Sequence, residues 1–168
     1  MQPNIVKSAL YNFHIIGLLL SLNFILSVQK YEVFASFAII ISIFIIFFLY
    51  RMAVHFRDTD FNGIINYGQA FRYIFLIYFF GSIVASIVMM IYTSFIDTHF
   101  LDLLLDAIFK MYEQFKIPLD DKTMKAYEYA CKPAQYSLLN AFFSIIGGTF
   151  WGLILAGIVK KDKSIFEK

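Results

Sequence analysis

The sequence predicts an all-α integral membrane protein: a four-helix bundle with an extramembrane amphipathic helical insertion between spans three and four. Three observations predict it. Of 168 residues, 60% are hydrophobic and only 15% charged, where a soluble domain has about 45–50% and about 25%. The apolar residues gather into four runs, each close to the ~20 residues that cross a bilayer as a helix. Between the third and fourth runs the pattern changes to apolar residues at helical spacing with a charged opposite face. Twenty-one Phe and eleven Tyr suit lipid-facing and interfacial surfaces. The net charge of +2 is too small to argue for nucleic acid as a partner. Cys131 is the single cysteine, so no intrachain disulfide is expected; it reads as an inert buried thiol.

The spans fall at roughly 8–28, 33–50, 73–96 and 135–159, in one membrane domain without internal repeats or low-complexity tracts. The first is interrupted by Asn12, His14 and Asn23, and no A-x-A-like site follows it. It reads as a retained span rather than a cleaved signal peptide. The second is the purest, with "AIIISIFIIFFLY" running up to Arg51. A tight hairpin joins spans one and two, a polar loop over 51–72 joins two and three, and a basic tail follows span four.

Within that loop, "FNGIINYGQAF" places Gly63 and Gly68 at the opening spacing of a phosphate-binding loop. Such a loop needs Lys and Ser/Thr directly after the second glycine. Gln69 and Ala70 stand there instead. The stretch reads better as a helix start, with Asn66 and Gln69 as a capping box. Asn62 or Gly63 then takes left-handed torsion angles in the preceding turn. A helix from Tyr67 to Ile96 would be about 45 Å long against a hydrocarbon core of about 30 Å, so its first turns should protrude or tilt.

The insertion, 97–134, opens with "DTHFLDLLLDAIFKMYEQFKIP". Asp97 or Thr98 is expected to cap its helix, and Pro118 to end it. Leu101, Leu104, Leu105, Ile108, Met111, Tyr112 and Phe115 form an apolar stripe. Asp102, Asp106, Lys110 and Glu113 line the other face. A shorter helix capped by Asp120 follows, and Pro133 opens span four at the first helical position. The stripe is expected to pack over the outer end of the bundle; the competing reading is a platform on the membrane or for a partner. His99, Asp102 and Asp106 share a face, but one His followed by Lys110 reads as a solvated surface rather than a metal site.

Lysine and arginine next to the spans set orientation. Lys7, Arg51, Arg57, Arg72, Lys160, Lys161 and Lys163 fall on one side, Lys30 and Lys132 on the other. Both termini and the 51–72 loop are therefore expected in the cytoplasm. The insertion is then outside; its five Lys are outnumbered by seven Asp/Glu.

Small and polar residues inside the spans point to packing. Asn140, Ser144, Gly148, Gly152 and Ala156 repeat every four residues. Such a stripe lets helix backbones approach closely in lipid, where no hydrophobic drive acts between helices. Span three carries a matching set, Gly81 with Ala85 and Ser82 with Ser86. Spans three and four are thus expected to pack on each other, in preference to homodimerisation through span four. On span one, with about 100° per residue, Asn12 and Asn23 share one face. His14, Gly17 and Ser21 share roughly the opposite one, so this span should contact helices on both sides. His14 is an ionisable group inside a span, expected to be neutral and hydrogen-bonded to a neighbouring helix.

No catalytic, cofactor or metal set stands out. The span interiors hold no Asp, Glu, Lys or Arg, and there is no HExxH, GxSxG or paired intramembrane Asp. The expected role is a non-enzymatic structural or partner-binding component of the lipid bilayer, as a homo-oligomer or with a membrane protein partner. The alternative is a small carrier or channel for a lipid or neutral solute, built around His14, Asn12, Asn23 and Asn140. An enzyme using His55, Asp58, Asp60 or His99 ranks last, because those groups lack a recognisable spacing.

The order of landmarks resembles an uncharacterised family of small four-span bacterial membrane proteins, catalogued as a domain of unknown function. The landmarks are the glycine-containing loop with "YGQAF", then "FIDTHFL", the charged helical insertion and "GGTFWGLILAGIVKK". Thr98 follows "FID" where many relatives would carry Pro. The resemblance covers essentially the whole chain. It implies a four-helix protein of the bacterial cytoplasmic membrane and brings no activity, substrate or catalytic residue.

Overall fold

The structure, a computed structural model, describes residues 4–29 and 31–161. Of the orientation charges, Lys30 and Lys163 lie outside these residues, as does the tail beyond Lys161. Four long helices are apolar enough to cross a membrane: α1 (Ile5–Ser27), α2 (Glu32–Asp60), α3 (Tyr67–Ile91) continued by a π-helical turn (Tyr92–Ile96), and α6 (Pro133–Val159). Two shorter helices, α4 (Phe100–Gln114) and α5 (Asp121–Ala130), form the insertion between spans three and four. The chain is a four-span membrane bundle.

α3 is the central helix. It packs along α1 on one side and α6 on the other, while α2 lies mainly against α1. The start of α1, the end of α2, the start of α3 and the end of α6 meet at one end, here the terminal end. Ile65 and Lys161 exchange two backbone hydrogen bonds there, at 3.1 and 3.0 Å. Arg57 donates to the Val159 carbonyl at 3.3 Å and to Asp58 at 2.8 Å. Tyr67 donates to the Leu153 carbonyl at 3.1 Å. Most of the core lies toward this end, including Leu49, Ala53, Phe56, Tyr73, Ile74 and Val159. Phe56 stacks on Tyr73 with centroids 3.8 Å apart. The opposite end is held by a smaller cluster, Phe24, Met89 and Tyr92. The outer face of α2 presents Phe37, Ile40, Ile43, Phe44 and Phe47 to the surroundings, as a lipid-facing surface requires.

The helix ends show where local chemistry governed the chain. Asn66 accepts from the Gln69 backbone N–H at 2.9 Å, and the Gln69 side chain accepts from the Asn66 N–H at 3.1 Å. This is the expected capping box, worth about 1 kcal/mol. Asn62 (φ 51°) and Gly63 (φ 83°) both take left-handed angles before it. Asp120 caps α5 through the Thr123 N–H at 3.1 Å; hydrogen bonding from the Thr123 side chain, then from that N–H, holds its carboxyl below the usual carboxylate range. Pro133 opens α6.

Four expectations need correction. Span two does not stop at Tyr50: α2 continues to Asp60, leaving only 61–66 as loop. The helix runs on because Ala53 and Phe56 are buried in the core, although His55, Asp58, Thr59 and Asp60 are weak helix formers. Neither Asp97 nor Thr98 caps α4. His99 stands at its N-cap without a side-chain bond, because Asp97 and Thr98 lie in the turn between the π turn and α4. Pro118 does not end α4. Lys116 takes a left-handed φ of 51°, with Lys116 N–H donating to Glu113 O and Ile117 N–H to Tyr112 O, both at 3.0 Å. That is a Schellman termination. Cys131 is half-buried rather than enclosed; burial still pushes its thiol pKa up.

Candidate functional site

The predicted packing residues occupy two helix crossings. On α6, Gly148 and Gly152 face α3. A Cβ on Gly148 would overlap the Tyr78 ring, and one on Gly152 would lie 3.5 Å from Phe71 and 3.6 Å from Ile74. Ala156 is fully buried on the same face, and Ser144 approaches Ser82 at 3.4 Å. The span-three partners divide differently from the expectation. Gly81 does not meet α6. Its Cβ position lies 3.1 Å from the backbone N of Gly17 and 3.2 Å from Ile16 Cγ2, both on α1. Gly81 and Ser82 are adjacent and so point about 100° apart around α3. One serves the α1 crossing and the other the α6 crossing.

The four intramembrane polar candidates do not converge. Asn12 donates to the Tyr73 hydroxyl at 3.0 Å and to the Ser8 carbonyl at 3.1 Å, toward the terminal end. His14 is exposed on the outer face of α1. Its ring meets Phe13 edge-on at 6.4 Å, and it makes no hydrogen bond among the described residues. The expected bond to a neighbouring helix is absent because this position turns away from α2 and α3. Asn23 donates both N–H groups to α2, to Ala38 O at 2.6 Å and Ser42 Oγ at 2.9 Å. Asn140 donates to Tyr136 O one turn back at 3.0 Å.

Asn23 and Asn140 do share one feature. A cleft of about 260 Å³ opens between α1, α3 and α6 in the half of the bundle away from the termini. Ala85 and Ser86 of α3 lie between Asn23 and Ser27 on α1 and Asn140 and Ser144 on α6. The hydroxyls of Ser27, Ser82 and Ser86 donate to the carbonyls of Phe24, Tyr78 and Ser137 at 2.8, 2.8 and 3.0 Å. With their protons committed, these hydroxyls keep lone pairs for the cleft. Asn23, with both N–H groups given to α2, retains its amide oxygen. The cleft therefore offers neutral acceptors, together with the second N–H of Asn140 and the Ser144 hydroxyl, and carries no formal charge. Ser27 was not singled out in the sequence, where it reads only as the polar end of a span.

The insertion departs most from expectation. It is anchored at its root: Leu101 is buried, and Phe100 meets Phe24 and Tyr136 edge-on at 6.4 and 5.9 Å. Beyond that, α5 touches the start of α6, and Tyr112 and Tyr127 share a 2.8 Å hydrogen bond. Along the rest of the stripe Leu104, Leu105, Ile108 and Tyr112 are half-buried, and the far end is exposed. Met111 is 49% and Phe115 66% exposed. Asp102 and Asp106 are exposed on the opposite face. Beyond this root α4 makes little contact with the four spans.

The family described as "Protein of unknown function (DUF4199)" matches residues 10–161. The chain belongs to the DUF4199 family. No curated protein and no solved structure matches it. The matched range takes in both helix crossings, the cleft and the insertion of this DUF4199 chain.

Proposed function

We propose that the protein is a non-enzymatic, partner-binding component of a bacterial cytoplasmic membrane, with its α4–α5 insertion outside as the recognition element. The exposed far end of the α4 stripe, Met111 and Phe115, carries this reading. Apolar area of this kind beyond the spans marks a contact surface. The polar residues of the insertion favour a protein over a lipid surface, since seven Asp/Glu outnumber five Lys across 97–134. Interfacial helices that bind anionic lipid carry Lys and Arg on that face. A photoreactive residue at Met111 or Phe115 is expected to crosslink a protein in native membranes, and Phe115→Glu in the same chain should abolish the Met111 adduct. Adducts to lipid alone would sink the reading.

The uncharged polar cleft favours a second reading, a carrier for a neutral solute bearing N–H or O–H donors. Reconstituted vesicles should then take up glycerol or urea faster than empty vesicles, with Asn140→Leu slowing the uptake. Rates equal to empty vesicles for both solutes would exclude it.

A further inference from the structure

An open groove of about 550 Å³ lies at the terminal end, between the first turns of α1 and the last turns of α2. Its floor is the Asn12–Tyr73 pair. Its depth follows from α2. The apolar run ends at Tyr50; His55 is five residues further and Asp60 ten, about 7–15 Å along the axis at about 1.5 Å per residue. The headgroup layer begins at the edge of the hydrocarbon core and is about 5–8 Å thick on each side. By that measure His55 stands at headgroup depth and Asp60 beyond it; Ser8, which bonds Asp60, opens span one at the edge of the hydrocarbon core, so the groove crosses the headgroup layer with its floor one turn deeper.

The chemistry of the walls is mixed in sign. Asp60 is held chiefly by Ser8: Oδ2 accepts from Ser8 Oγ at 2.7 Å, while Oδ1 lies 3.0 Å from Thr59 Oγ1, whose single proton is shared with the closer His55 carbonyl at 2.8 Å. Each oxygen keeps a lone pair for a further donor. Lys7 on α1 and His55 on α2 line the same groove and are exposed. Leu10 and Tyr11, also exposed, give it an apolar side. A carboxylate beside a cation at headgroup depth, bordered by apolar surface, matches a ligand that is itself zwitterionic and amphipathic.

We propose that this groove binds the headgroup of an aminophospholipid, with the primary ammonium on Asp60, the phosphate on Lys7 and His55, and the acyl end along Leu10 and Tyr11. An anionic glycerol headgroup offers the Asp60 carboxylate only neutral hydroxyls, with no cation to offset the repulsion between two negative groups. A quaternary choline lacks the N–H groups that a carboxylate accepts. The site is independent of the insertion and stands or falls separately from the partner-binding reading.

Native mass spectrometry of the full chain tests the proposal, in micelles doped with phosphatidylethanolamine, phosphatidylglycerol or phosphatidylcholine of matched acyl chains. The wild type should retain the ethanolamine lipid about tenfold better than either of the others, the size of one charge-assisted hydrogen bond. Asp60→Asn should bring it down to the choline level, and Lys7→Gln should weaken all three. Leu10→Trp, which narrows the mouth without touching Asp60, should lower retention in a chain whose melting temperature is unchanged. Equal retention of the three lipids by the wild type would overturn the proposal, as would an ethanolamine preference that survives Asp60→Asn. Soluble glycerophosphoethanolamine at equal concentration should not displace the lipid; displacement would overturn the assignment to a membrane lipid.

Discussion

Gly148→Ala is expected to destabilise the bundle by about 1–3 kcal/mol, the usual cost of overpacking a well-packed contact. Gly148→Leu should separate α6 from α3. The reason is local and steric. The Tyr78 ring lies across the face of Gly148, and an added Cβ would overlap three of its ring atoms. Tyr78 is held half-buried between the helices, so its ring has little room to retreat. In lipid the helices are joined by close contact, and spacing them apart removes that contact directly. Gly147→Ala is the internal control, since a Cβ there meets nothing within 4 Å. Thermal or SDS-induced unfolding of the two variants gives the comparison. Equal stability of Gly148→Ala and Gly147→Ala would refute this account of the α3–α6 contact.

Gly81→Val is expected to have an effect of the same order or larger, through the other crossing. A Cβ at Gly81 would stand 3.1 Å from the backbone N of Gly17 and 3.4 Å from the Ile16 carbonyl carbon. Backbone atoms cannot rotate aside as a side chain can. Gly17 faces a reciprocal limit, because its Cβ would approach Val84 Cβ to 3.0 Å. Alanine at Gly81 should cost about 1–3 kcal/mol and valine more. Gly157→Ala, with nothing within 4 Å, should be neutral or stabilising by up to about 1 kcal/mol from helix propensity. The same unfolding measurement decides it: a Gly81→Val chain as stable as Gly157→Ala would mean that α1 and α3 do not cross there.

Both crossings were partly legible. The four-residue repeat of Ser144, Gly148, Gly152 and Ala156 is a periodic signal that identifies a packing face without reference to the partner. It correctly predicted that α6 meets α3. The repeat on α3 was legible in the same way, yet Gly81 and Ser82 serve different neighbours. Periodicity reports that a face is buried; it does not report against what. His14 shows the same limit. Its position inside a span was plain, but whether it faced a helix or the outside depended on how α1 was rotated against α2 and α3.

Local chemistry was read more reliably than distant contacts. The Asn66–Gln69 capping box, the left-handed turn at Asn62 and Gly63, the Asp120 cap and Pro133 at the first turn of α6 all depend on residues within four positions of each other. The length of α2 beyond Tyr50 and the cap of α4 were misread for a related reason. Hydropathy marks where the hydrocarbon layer stops, and a helix continues for as long as its own hydrogen bonds and neighbours support it.

The sequence by itself determined four membrane spans, their connections and an amphipathic insertion, because these follow from apolar run length, helical periodicity and local capping. Only the tertiary structure decided that Asn23 and Asn140 share one uncharged polar cleft and that Ser8, His55 and Asp60 border one groove. It also decided that the far end of the α4 stripe, at Met111 and Phe115, is left exposed. Those outcomes join residues far apart in the chain, through helix rotations and crossings fixed by side-chain packing between spans.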